Sequence, residues 1–325
     1  MINSTPEAEQ SPEASEQNTD EPISADDAMD DLVSPYTPVF PGDSETWMLA
    51  GQVGGVTKAL LLEGDILYVG MGLKVIILDV TEPDNIQILG ESPILPQYVE
   101  HITSNGKGLL FVSCGSGGLA ILNAHNPAAP GILSILDTHG YTEGAALYGD
   151  YVLLADGPQG VQIVDYSNVY EPKIVSEAYP LAYVYDIVIQ DNIAYAAGGG
   201  SGLFTVDISN PESPAEAGLT GLDGFQYDAE IVNGNLYLAG AWGGVSMFDL
   251  GNSSQPTLVS TTQTDGWAMA LAGSENNLIV MDGANGIKIL NTNLNGPPEL
   301  VSELAYDGYL ITGDADENTV FVLEE

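Results

Sequence analysis

One short phrase recurs along this chain at a nearly fixed interval. It reads KVIILDV from Lys74, GLAILNA from Gly118, GVQIVDY from Gly160, GLFTVDI from Gly202, GVSMFDL from Gly244 and GIKILNT from Gly286. Its Asp or Asn falls at Asp79, Asn123, Asp165, Asp207, Asp249 and Asn291, in steps of 44, 42, 42, 42 and 42. A second apolar phrase keeps the same time, from ILYVG at Ile66 to VFVLE at Val320. A period near 42 residues made of short apolar runs predicts a radial array of small sheets, an all-β propeller.

The third repeat shows the unit. Strand a is EGAALYG from Glu143, strand b YVLLAD from Tyr151, strand c GVQIVDY from Gly160 and strand d KIVSEAY from Lys173. Gly, Asp and Asn at the turns supply the positive φ of tight hairpins. Pro130, Pro172, Pro214, Pro256 and Pro298 precede each strand d, where proline spoils no inner ladder. Strands a and b are apolar on nearly every residue and are expected inside the ring; d mixes polar and apolar and is expected at its rim.

The array predicts its own closure. The C-terminus supplies a seventh strand a (Tyr309–Gly313) and strand b (Val320–Glu324), then stops. The segment from Glu45 to Gly55 aligns with strand d and its linker. The expected fold is therefore a seven-bladed β-propeller whose last blade is shared by the N- and C-terminal strands. Residues 44–325 form it. Residues 1–43 are expected to be an acidic disordered tether, with 32–43 an irregular strand of the last blade because Pro35 and Pro38 oppose a central strand.

Composition narrows the partners. The chain holds 46 acids, five lysines and no arginine, for a net charge of −41. Such a surface repels nucleic-acid phosphate and anionic lipid. It suits cations, or plain solubility. Without the guanidinium fork, phosphorylated or carboxylated ligands are poorly served. The single cysteine, Cys114, excludes an internal disulfide and reads as a packed thiol. No apolar run approaches a membrane span. The N-terminus lacks the basic and apolar regions of a signal peptide, so a cytoplasmic chain or one already cleaved is expected.

The c phrases GVQIVDY, GLFTVDI and KVIILDV, each followed by a polar turn, resemble the LVIVD repeat of bacterial and archaeal cell-surface proteins. The whole stretch GYTEGAALYGDYVLLADGPQGVQIVDYSN resembles one unit, and the likeness spans roughly residues 44–325. Asn123 and Asn291 depart from the motif's Asp, and the first repeat lacks the proline near Ile86. The resemblance implies a cell-surface or extracellular location. It carries no catalytic residues, and none is assigned.

Chemistry is expected where the d-to-a linkers ring the channel mouth. These carry an aromatic in register, Tyr98, Tyr141, Tyr183, Phe225, Trp267 and Tyr309, followed by the acids Glu100, Glu143, Asp186 and Asp228. His101 and His139 lie in the same zone. One reading is a ligand mouth, with aromatic faces for sugars or organic cations over carboxylates for metals or ammonium groups. The other is architecture, since a residue present in every repeat usually serves every blade. No cofactor is expected; a divalent cation such as Ca²⁺ is the candidate, at His101, Glu100 and Glu143. Asp314, Asp316 and Asn318 imitate a calcium loop but have Thr319 where Gly is required, and read as a turn. The expected function is a non-enzymatic binding scaffold for a surface protein or glycan. The rivals are a carbohydrate hydrolase or lyase using the four acids, and a structural subunit that self-associates through blade 7.

Overall fold

The structure, a computed structural model, describes residues 57–178, 182–293, 296–306, 308–316 and 319–324. Six antiparallel four-stranded sheets follow one another, each pairing in chain order a-b-c-d. The first is β1 (Thr57–Glu63), β2 (Ile66–Met71), β3 (Lys74–Asp79) and β4 (Gln87–Glu91). The second is β5 (His101–Ser104), β6 (Leu109–Ser113), β7 (Leu119–Asn123) and β8 (Gly131–Leu136). The third is β9 (Gly144–Tyr148), β10 (Tyr151–Ala155), β11 (Val161–Asp165) and β12 (Lys173–Ala178), within a residue or two of the expected bounds. The fourth is β13 (Asp186–Gln190), β14 (Ile193–Ala197), β15 (Leu203–Asp207) and β16 (Ala215–Thr220). The fifth is β17 (Asp228–Val232), β18 (Asn235–Ala239), β19 (Val245–Asp249) and β20 (Thr257–Thr262). The sixth is β21 (Ala270–Ser274), β22 (Asn277–Met281), β23 (Ile287–Asn291) and β24 (Glu299–Leu304). β25 (Leu310–Ala315) and β26 (Val320–Glu324) make a seventh sheet of two strands. The chain is an all-β propeller.

The apolar phrases become the contacts between blades. Phe111, Leu119 and Ile121 of the second sheet pack on Val152, Leu154 and Val164 of the third. Leu153, Val161 and Ile163 on the third sheet's other face pack on Ala194, Ala196 and Phe204 of the fourth. The pattern repeats around the array, and Phe321 and Leu323 of the seventh sheet join Leu60, Leu67, Val69 and Leu78 of the first. The small residues of IAYAA let Tyr195 and Phe204 approach their neighbours, both nearly or fully buried. A buried Leu or Phe contributes about 1.5–3 kcal/mol. These interfaces therefore dominate stability.

One expectation needs correction. Strands b and c are the most deeply buried, as in β10 and β11; strands a are half-open. Strand a is the inner edge, and its open side faces the central cavity.

The repeated Asp/Asn is an acceptor. In all six four-stranded sheets its Oδ1 takes the N–H two residues on, at 3.0 Å for Thr81, 3.0 Å for His125, 2.8 Å for Ser167, 2.9 Å for Ser209, 2.7 Å for Gly251 and 2.9 Å for Asn293. An amide oxygen accepts as well as a carboxylate, so Asn123 and Asn291 fit the motif. Each c–d ladder also slips by one residue at the same place, for instance between Ile163 and Val164. A bulge there twists the exposed rim strand and discourages edge pairing.

The segments expected to complete the last blade, 32–43 and Glu45–Gly55, lie outside the described residues. So does the expected tether. Among the described residues no helix is long and apolar enough to cross a membrane.

Candidate binding site at the channel mouth

Backbone bonds fix which parts share a face. Gly115 and Thr142 exchange N–H···O bonds of 3.1 and 3.0 Å, joining the b–c turn of one blade to the linker of the next. Gly199 and Gln226 do the same at 3.1 and 3.0 Å, and Ala241 and Ala268 at 3.0 and 3.2 Å. Gly157 with Val184 and Gly283 with Leu310 complete the series. The b–c turns and d-to-a linkers therefore form one face, and every strand a starts from it. Between the strands a lies a cavity of about 910 Å³.

The wall of that cavity contains Glu100, His101, Glu143, Asp186 and Asp228, five of the residues expected there. It also contains Lys58, Glu230, Asp314, Glu324, Tyr185 and Tyr227, which sequence reading missed. The four expected acids are not one ring. The N–H groups of Glu100 and Glu143 bond Ser113 and Ala155 O, while at the equivalent place Tyr185 and Tyr227 bond Ala197 and Ala239 O. Asp186 and Asp228 stand one residue further on, in the row of His101 and Gly144. The signal was present: the aromatics step by 42 from Tyr141 to Tyr183, whereas Glu143 to Asp186 is 43.

Each wall carboxylate has protein partners. Lys58 Nζ lies 2.7 Å from Glu100 Oε2 and is the single lysine among the described residues of the wall. Asp186 Oδ2 accepts the N–H of Ala229 (3.2 Å), Asp228 Oδ2 that of Leu271 (2.6 Å) and Asp314 Oδ2 that of Leu62 (2.7 Å). Each of these bonds ties one inner strand to the next, and the last ties the seventh sheet to the first. Gly144 makes room for the arrangement, because a Cβ there would meet Asp186 Oδ1 at 2.5 Å.

Burial first, and neighbouring charge second, raise the acids of the wall. Burial, the Asp228 charge and a hydrogen bond between the two side chains hold Asp186 well above the usual carboxylate range. Burial also raises Asp228 and Asp314. Glu230 is pushed up to about 8 by burial and by the charges of Asp228 and Asp314. Of the pair, Asp186 is raised further, because the contact between the two side chains raises Asp186 and lowers Asp228. Burial drives the His101 imidazole down to about 4, so it is neutral at physiological pH.

The six linker aromatics stand outside the cavity wall. Tyr141 Oη donates to Glu100 Oε1 (2.5 Å) and Tyr183 Oη to Glu143 Oε1 (2.8 Å), each reaching the preceding blade. Tyr309 Oη reaches Met269 Sδ at 3.5 Å. Their rings cover the b–c turns: a Cβ on Gly115 or Gly157 would fall 2.7 or 2.8 Å from the ring of Tyr141 or Tyr183. Burial, then the accepting carboxylate, raises both phenols. Phe225 packs on Tyr185 and Tyr227, with ring centroids 5.2 and 4.9 Å apart. Tyr98 and Trp267 remain half-exposed.

The remaining candidates are dispersed. His139 is exposed on its linker, away from the cavity wall. Asp314 belongs to strand β25 and not to a turn; Asp316 closes the turn by accepting Thr319 N–H at 2.7 Å. Asn318 lies outside the described residues. Among the described residues no group of three or more His, Cys, Asp or Glu is placed to hold a metal ion. Cys114 is buried, and burial pushes its thiol up to about 12.

The LVIVD repeat matches residues 139–178 and 182–220, the third and fourth blades. No curated protein matches the chain significantly. Solved propellers superpose on it at low identity. A periplasmic gluconolactonase of Pseudomonas aeruginosa, PpgL, has a TM-score of 0.69 at 12% identity, covering 81% of this chain and 89% of its own. The RRP9 WD40 repeats give 0.66 at 11% identity, over 80% and 84%. The computationally designed Ika8 protein gives 0.63 at 13% identity, over 83% of both. At such identities the likeness concerns the fold.

Proposed function

We propose that this LVIVD-repeat propeller is a non-enzymatic binding scaffold, cell-surface or secreted, that meets its partner on the face formed by the b–c turns and d-to-a linkers. The observation that carries this reading is how the repeated groups are used. Tyr141, Tyr183 and the wall carboxylates Glu100, Glu143, Asp186, Asp228 and Asp314 hold one blade to the next, and the Asx acceptors shape the turn after each strand c. Acid/base hydrolysis needs two carboxyls whose environments split their pKa values. Asp186 and Asp228 are raised unequally, yet each spends an oxygen on a backbone N–H of the next inner strand, and Glu100 and Glu143 receive tyrosine hydroxyls. The carbohydrate-enzyme reading finds less support than the scaffold.

The last blade is completed, on this reading, by the residues that precede β1. Six sheets have strands c and d, and β26 pairs only with β25 among the described residues. In every other repeat a strand d and linker precede strand a, and residues 44–56 hold that place in sequence. Residues 32–43 then supply its irregular third strand, the acidic residues 1–31 act as the tether, and the LVIVD likeness supports an extracellular setting.

Single-cysteine labelling tests the face. Cys114 is buried with a raised pKa, so a maleimide polymer reacts at introduced cysteines only. Asn285→Cys labels a b–c turn; Asp150→Cys labels an a–b turn at the opposite end. With a cell-surface extract as the source of partner, the label at 285 abolishes capture and the label at 150 preserves it. Equal capture by both labelled proteins contradicts the proposal.

A further inference from the structure

We infer that Trp242 and Trp267 form a platform for an arginine side chain of a protein partner, beside the channel and not within it. This rests on the binding-face reading above and names the chemistry of what that face meets.

The platform is the place where the repeat breaks. The second residue of the b–c turn is Ser116, Pro158, Gly200 and Ala284 in four blades, all small or compact. In the fifth blade it is Trp242. The residue before it is Ala241, held at φ 48° where Gly115, Gly157, Gly199 and Gly283 stand in the other turns. A residue common to all blades serves the array; one peculiar to a single blade, and unfavourable there, needs another reason. Trp267 is likewise the single indole of the linker row. The two rings lie 5.6 Å apart at 64° and are 55% and 48% exposed. A large aromatic pair left in water on a binding face marks an anchor point.

Charge selects the occupant. Asp265, two residues before Trp267, has a side chain 88% exposed. Its neighbour Lys288 Nζ stands 3.9 Å away and is held closer, at 2.8 Å, by Glu303. Asp223 is exposed, and its backbone carbonyl lies against Gly243, beside Trp242. A guanidinium stacks flat on an indole while its N–H fork engages a carboxylate; an ammonium, being a hydrated point charge, does this less well. A second copy of this chain is a poor occupant, because it carries a net charge of −41 and no arginine.

The test is calorimetric titration at physiological salt with a nonapeptide of arginine and a matched nonapeptide of lysine. The lysine peptide reports general attraction to an acidic surface. Trp242→Ser adopts the residue that the second blade already has at this turn, and so keeps the fold. The arginine peptide is expected to bind the native protein about tenfold tighter than the lysine peptide. Trp242→Ser is expected to erase that preference, and Asp265→Asn to reduce it severalfold. Equal affinity for the two peptides, or an unchanged preference in Trp242→Ser, overturns the platform. A preference lost in Glu230→Gln but kept in Trp242→Ser puts the arginine in the channel; it overturns the platform while leaving the binding face standing.

Discussion

Removing residues 1–31 should leave the unfolding temperature within about 2 °C of the full chain, whereas removing 1–56 should lower it by about 10 °C or more. The reason is the state of the seventh sheet. A lone two-stranded hairpin is marginal in water. β25 and β26 nevertheless sit between Ile287 and Ile289 of the sixth sheet and Leu67 and Val69 of the first. Without strands c and d the outer half of this blade is open, and the interface built on Phe321 and Leu323 frays. Losing two such buried side chains costs about 3–6 kcal/mol. At about 2–4 °C per kcal/mol for a domain of this size, a shift of about 10 °C follows. Differential scanning calorimetry on the three lengths reads it directly. An unfolding temperature unchanged by loss of residues 32–56 would show that the last blade does not depend on them. Concentration-dependent mass in light scattering of the shortest form, and not of the longest, would show an exposed edge recruiting a second copy.

Stability should fall as pH rises from 5 to 8. Glu230 holds its proton up to about 8 in the folded protein, whereas a glutamate in an unfolded chain loses it near the ordinary value of about 4.3. Between those values the folded state binds more protons than the unfolded state, so raising the pH favours unfolding. The contribution is complete below the lower value and lost once pH passes the upper. Asp186, Asp228 and Asp314 are raised as well and act with the same sign. Solvent in the open cavity screens the group, so about 2 kcal/mol is the expected scale for Glu230, or roughly 4–8 °C. Glu230→Gln keeps the shape without the titration. It should flatten the curve and be the more stable protein at pH 8. Parallel profiles for the two proteins would place the pH dependence elsewhere.

The fold was legible because each blade repeats the same physical solution. Apolar runs of five residues, prolines before strand d and positive-φ turns all recur in register, and the strands fall within a residue or two of where they were read. The site was legible only in part. Tyr141 and Tyr183 read either as ligand platforms or as blade architecture; their period favours architecture but does not reveal that each phenol is used by the blade before it. The acids suffered from a slip of one residue, which hid Tyr185 and Tyr227 behind Asp186 and Asp228. Glu230 and Asp314 share a strand-a position that is Leu61, Thr103, Ala146, Val188 and Ala272 in the other repeats, so no pattern announced them. Asp314 lay in an apparent calcium loop, yet its partner is the N–H of Leu62, 252 positions away in sequence. Trp242 escapes a reading by period for the opposite reason: it is informative because it does not repeat.

The most direct test of the binding face is hydrogen–deuterium exchange of the full chain, alone and saturated with its captured surface partner. Slowed exchange should appear in the b–c turns and d-to-a linkers, strongest across Ala241–Gly244 and Asp265–Ala268. The a–b turns around Asp150, Asp191 and Glu275 should be unaffected. Protection confined to those a–b turns, or to the rim strands β20 and β24, would contradict the account.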